Sequence, residues 1–170
     1  MHSRVFVLAT EREIINGDYL IPDGEDVVNA IPLADYVSTE AMGEEIEQDI
    51  KWFKEYYGDE TISKKEVFTT IDENKVIGYK INVEAFKKAL EKIFDEILEG
   101  VREDLEKSKN ASGLDKSLII DSINYTTECG GFYFFTSGSG VTNETFLYYI
   151  LERDWKDKDI YIIATIDYHM

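Results

Sequence analysis

The segment from residue 65 to residue 109 constrains the fold more than any other part of the sequence. Two β-rich stretches, Lys65–Ile71 and Lys75–Ile81, are joined by a short polar turn, and this pattern predicts a β-hairpin. Asn82 stands directly before a run of apolar residues at helical spacing, so we predict that it is the N-cap of a long amphipathic helix. The run predicts a helix over 83–109 whose apolar stripe packs on a sheet.

The elements on either side of this segment follow no regular order of strand and helix. We therefore predict an α+β fold rather than a doubly wound sheet, with a single acidic domain over 1–170. Its sheet is expected to be mixed or antiparallel, with about five strands packed against two long helices and one shorter C-terminal helix. The other predicted elements are strands at Ser3–Ala9, Phe132–Thr136 and Ile160–Asp167, helices near 38–57 and 143–154, an irregular acidic loop at 10–34, and a segment at 114–126 that fits a helix or a strand.

Acidic residues outnumber basic residues by 35 to 18, which gives a net charge of −17. Such a surface repels nucleic acids and anionic membranes, so we expect the protein to bind neither of them directly. Most of the excess falls in residues 11–60, which hold 15 acidic and three basic residues, a net charge of −12. Solubility alone does not require this concentration, and it favours a surface that binds a basic partner.

The predicted helix over 38–57 places acidic side chains in a row. Glu40, Glu44 and Glu47 fall opposite its apolar stripe, at steps of about 4.5 or 6 Å along the axis. This spacing approximates the phosphates of one nucleic-acid strand. In composition the chain is similar to phage-encoded DNA mimics and to bacterial toxin-immunity proteins. We therefore predict an acidic protein-interaction module, an inhibitor or immunity-type antagonist, whose partner is a basic protein such as a nucleic-acid-binding enzyme. The predicted partner-binding residues are Glu40, Glu44, Glu45, Glu47, Glu55, Asp23, Glu25 and Asp26.

One further carboxylate is predicted to lie against the core. Asp49 falls beside the apolar edge of the helix over 38–57, where a charged group needs a partner. The expected partners are Lys54, Arg12 or a helix end.

Side chains that usually carry catalysis are scarce. The two histidines, His2 and His169, lie at the chain ends, and the single cysteine, Cys129, follows an acidic residue that disfavours a thiolate. We therefore favour a function other than catalysis, with no cofactor and no metal. A single cysteine and the lack of a long apolar run indicate a cytoplasmic location.

Two alternative functions stay open. The Gly-rich loop over 137–143 lies between a predicted strand and a predicted helix, an order that can hold a phosphate and would suit a nucleotide- or small-ligand-binding domain or an enzyme. The loop lacks the third glycine of a dinucleotide site and the lysine of a P-loop. An assembly subunit is the other alternative, with the aromatic strand Phe132–Phe135 at a sheet edge. The oligomeric state is left open. The candidate loop residues are Ser137, Gly138, Ser139 and Gly140.

Overall fold

The computed structural model describes residues 2–31, 34–128 and 132–169. These ranges form a single α+β fold around a mixed sheet, as predicted, but the expected count of about five strands is wrong, because seven strands and six α-helices occur in them. The strands are β1 (His2–Thr10), β2 (Tyr36–Met42), β3 (Ile62–Thr69), β4 (Lys75–Ile81), β5 (Tyr133–Thr136), β6 (Gly140–Thr142) and β7 (Ile160–His169). The helices are α1 (Glu11–Asn16), α2 (Gly24–Ala30), α3 (Glu47–Tyr57), α4 (Val83–Ser108), α5 (Gly113–Glu128) and α6 (Glu144–Arg153).

The sheet has the strand order β3-β4-β7-β1-β5-β6, and β2 also pairs with β7. Strands β1 and β5 are parallel, whereas the other pairs are antiparallel. The long strand β7 pairs with two strands on one of its sides. Its residues Tyr161 and Ile162 pair with β4, and the stretch from Ala164 to His169 pairs with β2. Strands β4 and β2 therefore lie one after the other along the same side of β7.

Helices cover both faces of the sheet. Along β1, Phe6 and Leu8 pack in the core that α3, α4 and α6 cover, whereas Val5 and Val7 pack in the core under α1 and α2. This alternation follows from the period of two in a strand. It explains why β1 and β7 read as nearly continuous apolar runs, since a strand buried on both faces has no polar side.

The predicted hairpin and two of the predicted helices are confirmed, and both helices have the predicted type of cap. The hairpin is β3–β4, and the predicted long helix is α4, where Asn82 Oδ1 accepts the Ala85 N–H at 3.3 Å. The predicted helix at 143–154 is α6, where Asn143 Oδ1 accepts the Phe146 N–H at 3.0 Å. The ambiguous segment at 114–126 lies in α5. Among the helices of the described ranges, none is both long and apolar enough to cross a membrane.

Two predictions for the N-terminal third are wrong. Residues 36–42 form β2 and a 3₁₀ turn spans Gly43–Ile46, so the helix predicted from residue 38 begins only at Glu47. Pairing with β7 takes this stretch into the sheet despite its helical pattern. The predicted irregular loop over 10–34 contains α1 and α2. A capping box begins α1, because Thr10 Oγ1 accepts the Glu13 N–H while the Glu13 carboxylate accepts the Thr10 N–H.

Candidate functional site

The eight predicted partner-binding carboxylates do not form a row on one helix. They are divided among β2, the 3₁₀ turn, α3 and the start of α2. Glu40 is on β2, Glu44 and Glu45 are on the turn, Glu47 and Glu55 are on α3, and Asp23, Glu25 and Asp26 lie at the start of α2.

Lys65 of β3 contacts two members of the predicted row. Its Nζ lies 3.2 Å from Glu44 Oε1 and 2.8 Å from Glu47 Oε1. The hydrogen bond from Lys65 lowers the pKa of Glu47, and the lysine charge adds to the effect. Asp23 has a structural task as well, since its side chain accepts the Asp26 N–H at 2.8 Å and caps α2. These three carboxylates are therefore less available to a partner than the sequence suggests.

The other five predicted carboxylates are exposed, and none of them forms an ion pair within the described ranges. Glu40 lies opposite Ile166, which belongs to the core under α1 and α2. At the start of α2, a Cβ added to Gly24 would lie 3.3 Å from Val37 Cβ on β2, so α2 packs closely on this strand. Glu40 therefore shares one side of β2 with the first turn of α2. We name Glu25, Asp26 and Glu40 the acidic edge.

A cleft of about 980 Å³ lies between the end of α3 and the first half of α4, and we name it the α3–α4 cleft. From α4 it is lined by a stripe that includes Ala85, Ala89, Ile93 and Ile97. Residues at i, i+4 and i+8 share one face of a helix, so this stripe runs along the cleft. Two small alanines at one end leave room between the helices.

The charged lining of the α3–α4 cleft is mainly acidic. Glu55 is the one member of the eight predicted carboxylates, all of them in the described ranges, that lines this cleft. The tyrosines Tyr56 and Tyr57 add aromatic surface from α3, and Tyr56 is 47% exposed. The charged lining residues are Glu55, Glu60, Glu84, Glu96, Lys88 and Lys92.

A buried carboxyl group lies behind Tyr57. Glu144, in the first turn of α6, is 4% exposed, and the Tyr57 hydroxyl donates a hydrogen bond to its Oε1. Burial raises the pKa of Glu144 to about 7, although hydrogen bonds from Tyr57 and from the Phe132 backbone lower it in part. Burial, followed by the charge of Glu144, raises the pKa of Tyr57 well above its usual value. The pair is therefore poised to change its charge near neutral pH.

Aromatic rings hold Tyr57 in place. The ring centroids of Phe53 and Phe86 lie 4.7 and 4.9 Å from that of Tyr57, and those of Phe132 and Phe134 lie 6.0 and 6.3 Å away. Distances in this range are those of favourable aromatic pairs. The Tyr57–Glu144 hydrogen bond therefore sits in an apolar shell, which explains the strong effect of burial on both groups.

Asp49 pairs with Arg4 and not with the predicted Lys54 or Arg12. Arg4 Nε lies 2.9 Å from Asp49 Oδ1, and Arg4 also forms an ion pair of 2.5 Å with Asp167. The Thr165 hydroxyl donates to the second Asp49 oxygen at 2.5 Å. A cavity of about 210 Å³ adjoins these groups. Because no buried side-chain polar atom of the described residues lacks a hydrogen-bond partner, this cluster is explained by its role in the fold.

The Gly-rich loop does not lead into a helix. Residues 137–139 form the turn between the antiparallel strands β5 and β6, and α6 begins only after β6. Ser137 Oγ accepts the Leu20 N–H at 3.0 Å, and the Ser139 N–H is bonded to Thr136 Oγ1 at 3.1 Å. Gly138 and Gly140 have no atom within 4 Å of an added Cβ. The predicted order of strand, phosphate loop and helix is therefore wrong.

The remaining predicted features have separate places. His169 Nδ1 lies 2.9 Å from Asp35 Oδ1, and its ring stacks on Tyr36. Cys129 lies outside the described residues, as does the side chain of His2. The aromatic strand β5 pairs with β1 and β6, so its predicted position at a sheet edge is wrong. No group of acidic, histidine or cysteine side chains in the described ranges is arranged to hold a metal ion.

The sequence pattern predicts a local place for Tyr57 and for Glu144 but not their contact. Tyr57 belongs to the apolar stripe of the first predicted long helix, and Glu144 follows the Asn143 cap. A glutamate in the first turn is typical of an exposed helix start, and only its burial marks it as unusual. No protein family, curated protein or solved structure matches this chain. Its function is therefore inferred from its own residues and geometry.

Proposed function

We propose that this chain is an acidic protein-interaction module that binds a basic partner protein and acts as an inhibitor or immunity-type antagonist. In this proposal the acidic edge, Glu25, Asp26 and Glu40, occupies a basic groove that the partner uses for nucleic acid. The observation that carries it is the lack of ion pairs at these three exposed carboxylates within the described ranges. Their charge is left for an external partner.

Electrostatics supports this function for a chain with a net charge of −17. Carboxylates that share one side of β2 add their potentials, which accelerates encounter with a positively charged surface. Such a complex weakens as salt is added, because exposed charges are screened within about 10 Å at 0.1 M ionic strength. A strong salt dependence is therefore the expected signature of the complex.

The structure changes which residues test the proposal. Reversing Glu44 and Glu47 would disturb their contacts with Lys65, so a loss of binding there has two explanations. Neutralising the acidic edge avoids this ambiguity. The test variant is Glu25→Gln, Asp26→Asn and Glu40→Gln. The matched control is Asp95→Asn, Glu103→Gln and Asp121→Asn. It removes three exposed charges from α4 and α5, and none of the three forms an ion pair with another described residue.

The experiment is capture from a host lysate at low salt, followed by elution with a salt gradient and identification by mass spectrometry. We expect the unmodified protein to capture a basic protein that the acidic-edge variant loses and the matched control retains. The melting temperature of each variant reports whether it is folded. Equal loss in the control, or a captured partner that salt does not release, would contradict the proposal.

A further inference from the structure

We propose that the α3–α4 cleft binds an arginine side chain presented by an extended basic segment of the partner protein. This inference rests on the proposed function, since it assumes a basic protein partner, but it concerns a different surface from the acidic edge. Its basis is the combination of an elongated cleft, an exposed tyrosine ring and an excess of carboxylates around them.

The shape of the cleft suits an extended segment rather than a single small ion. Its lining on α4 runs from Glu84 to Ile97, which corresponds to about 20 Å at 1.5 Å per residue. Its volume of about 980 Å³ is at the upper end of the range for ligand pockets. Ala85 and Ala89 provide an apolar surface on which the methylene stem of a long cationic side chain can pack.

The carboxylates are disposed to receive a cation. Glu55 and Glu60 form no ion pair within the described ranges, so both are open to an incoming charge. The other two acidic lining residues form ion pairs at the long end of the range within α4, since Glu84 lies 3.6 Å from Lys87 and Glu96 lies 3.8 Å from Lys92. Four carboxylates against two lysines leave the lining with a net negative charge.

The tyrosines distinguish an arginine from a lysine or a metal ion. Tyr56 packs edge-on against Tyr57, with ring centroids 4.7 Å apart and an angle of 87°, which fixes the exposed ring. A guanidinium group stacks on such a ring and also binds carboxylates through two parallel N–H groups. A metal ion would bind the carboxylates but would gain nothing from contact with the aromatic and aliphatic surface.

Lys88 provides a test of whether the cleft binds a cation or an anion. It lines the cleft, is exposed and has no ion pair within the described ranges, so it repels a cationic ligand. Removing its charge should therefore tighten binding. An anionic ligand would respond in the opposite direction, because Lys88 would then be one of its contacts.

The experiment is isothermal titration of the full chain with end-blocked tetra-arginine and tetra-lysine peptides at low and physiological salt. We expect Glu55→Gln with Glu60→Gln to weaken tetra-arginine binding about tenfold, because two charge contacts are lost. Tyr56→Leu should weaken it about threefold. Lys88→Gln should strengthen it about threefold. Tetra-arginine should bind more tightly than tetra-lysine.

Two controls separate the cleft from the general negative charge. Glu103→Gln with Asp121→Asn removes the same charge from exposed positions outside the cleft, and Lys116→Gln matches Lys88→Gln. Each control should leave the affinity within twofold of the unmodified protein. Equal weakening by the two double variants, or weaker binding by Lys88→Gln, would overturn the inference.

The cleft inference and the proposed function can be contradicted separately. If a captured basic partner needs the acidic edge but binds the Glu55→Gln, Glu60→Gln variant as before, the cleft inference is wrong and the proposed function stands. If no basic partner is captured while tetra-arginine binding follows the cleft variants, the cleft binds arginine and the proposed function is wrong.

Discussion

The buried carboxyl group of Glu144 makes the stability of this protein depend on pH in an unusual direction. The perturbation that reveals it is Glu144→Gln, which replaces the titratable group by a neutral amide of nearly the same shape. In the folded protein, burial raises the pKa of Glu144 from 4.5 to about 7. In the unfolded chain the same group is exposed to water and titrates near 4.5.

The magnitude follows from these two pKa values. Between pH 4.5 and pH 7 the folded protein keeps the Glu144 proton while the unfolded chain has lost it, so unfolding releases a proton. The contribution to stability is complete below about pH 4.5 and is lost as pH rises through about 7. Since one pH unit corresponds to about 1.4 kcal/mol, the free energy of unfolding falls by about 3 kcal/mol across this interval.

The assay is urea denaturation of the unmodified protein and the Glu144→Gln variant from pH 4 to pH 8.5 at constant ionic strength. Other carboxylates titrate in both proteins, so the difference between their free energies of unfolding isolates Glu144. We expect the unmodified protein to lose about 3 kcal/mol relative to the variant between the two ends of this range. A change in hydrogen bonding to the amide adds a constant offset, which does not depend on pH.

The exposed residue Glu25 supplies the control for this experiment. Because interactions of exposed charges contribute at most about 1 kcal/mol, the difference curve of Glu25→Gln should change by less than that between pH 5 and pH 8.5. Parallel curves for the unmodified protein and Glu144→Gln over the same interval would refute the reasoning. So would a stability that rises with pH relative to the variant.

Three further changes test the packing by urea denaturation. Arg4→Met should cost about 3 kcal/mol, because it removes the ion pair of the largely buried Asp49 carboxylate. Gly78→Ala should cost about 1 to 3 kcal/mol, because the new Cβ would lie 3.1 Å from two atoms of Tyr161. Lys65→Gln should change stability much less than Arg4→Met, because its ion pairs are exposed. A loss from Lys65→Gln as large as that from Arg4→Met would contradict this order.

Elements with strong local patterns could be predicted from the sequence, and those that depend on distant pairing could not. The β3–β4 hairpin and α4 have their turn, cap and apolar period within one stretch. Strand β2 has none of these, because it exists through its pairing with β7 at the far end of the chain. Helix α1 is a different case, since its Thr10-to-Glu13 capping box is visible in the sequence, whereas the turn residues that follow it predict a loop.

For the candidate site, the sequence predicts an excess of acidic residues but not which residues come together. Glu55 was identified by its exposed position on a helix, but Glu60, Glu84 and Glu96 reach the same cleft from other elements. Tyr57 and Glu144 are 87 residues apart, and their contact requires α3 and α6 to pack on the same face of the sheet. Sequence spacing predicts which residues share one face of a helix. A site between two helices also depends on how the helices pack, which spacing does not predict.

The net charge of a stretch of sequence therefore differs from the charge that the folded surface presents to a partner. Residues 11–60 have a net charge of −12, yet Arg4 and Lys65 come from outside this segment and bind three of its carboxylates, Asp49, Glu44 and Glu47. Asp49 supports the fold, and Lys65 neutralises part of the charge of Glu44 and Glu47, so changing these carboxylates does not report partner binding alone. The acidic edge and Glu55, by contrast, are carboxylates whose neutralisation removes charge without removing an ion pair of the described residues. Experiments on binding are clearest at these positions because no ion pair of the described residues is lost with their charge.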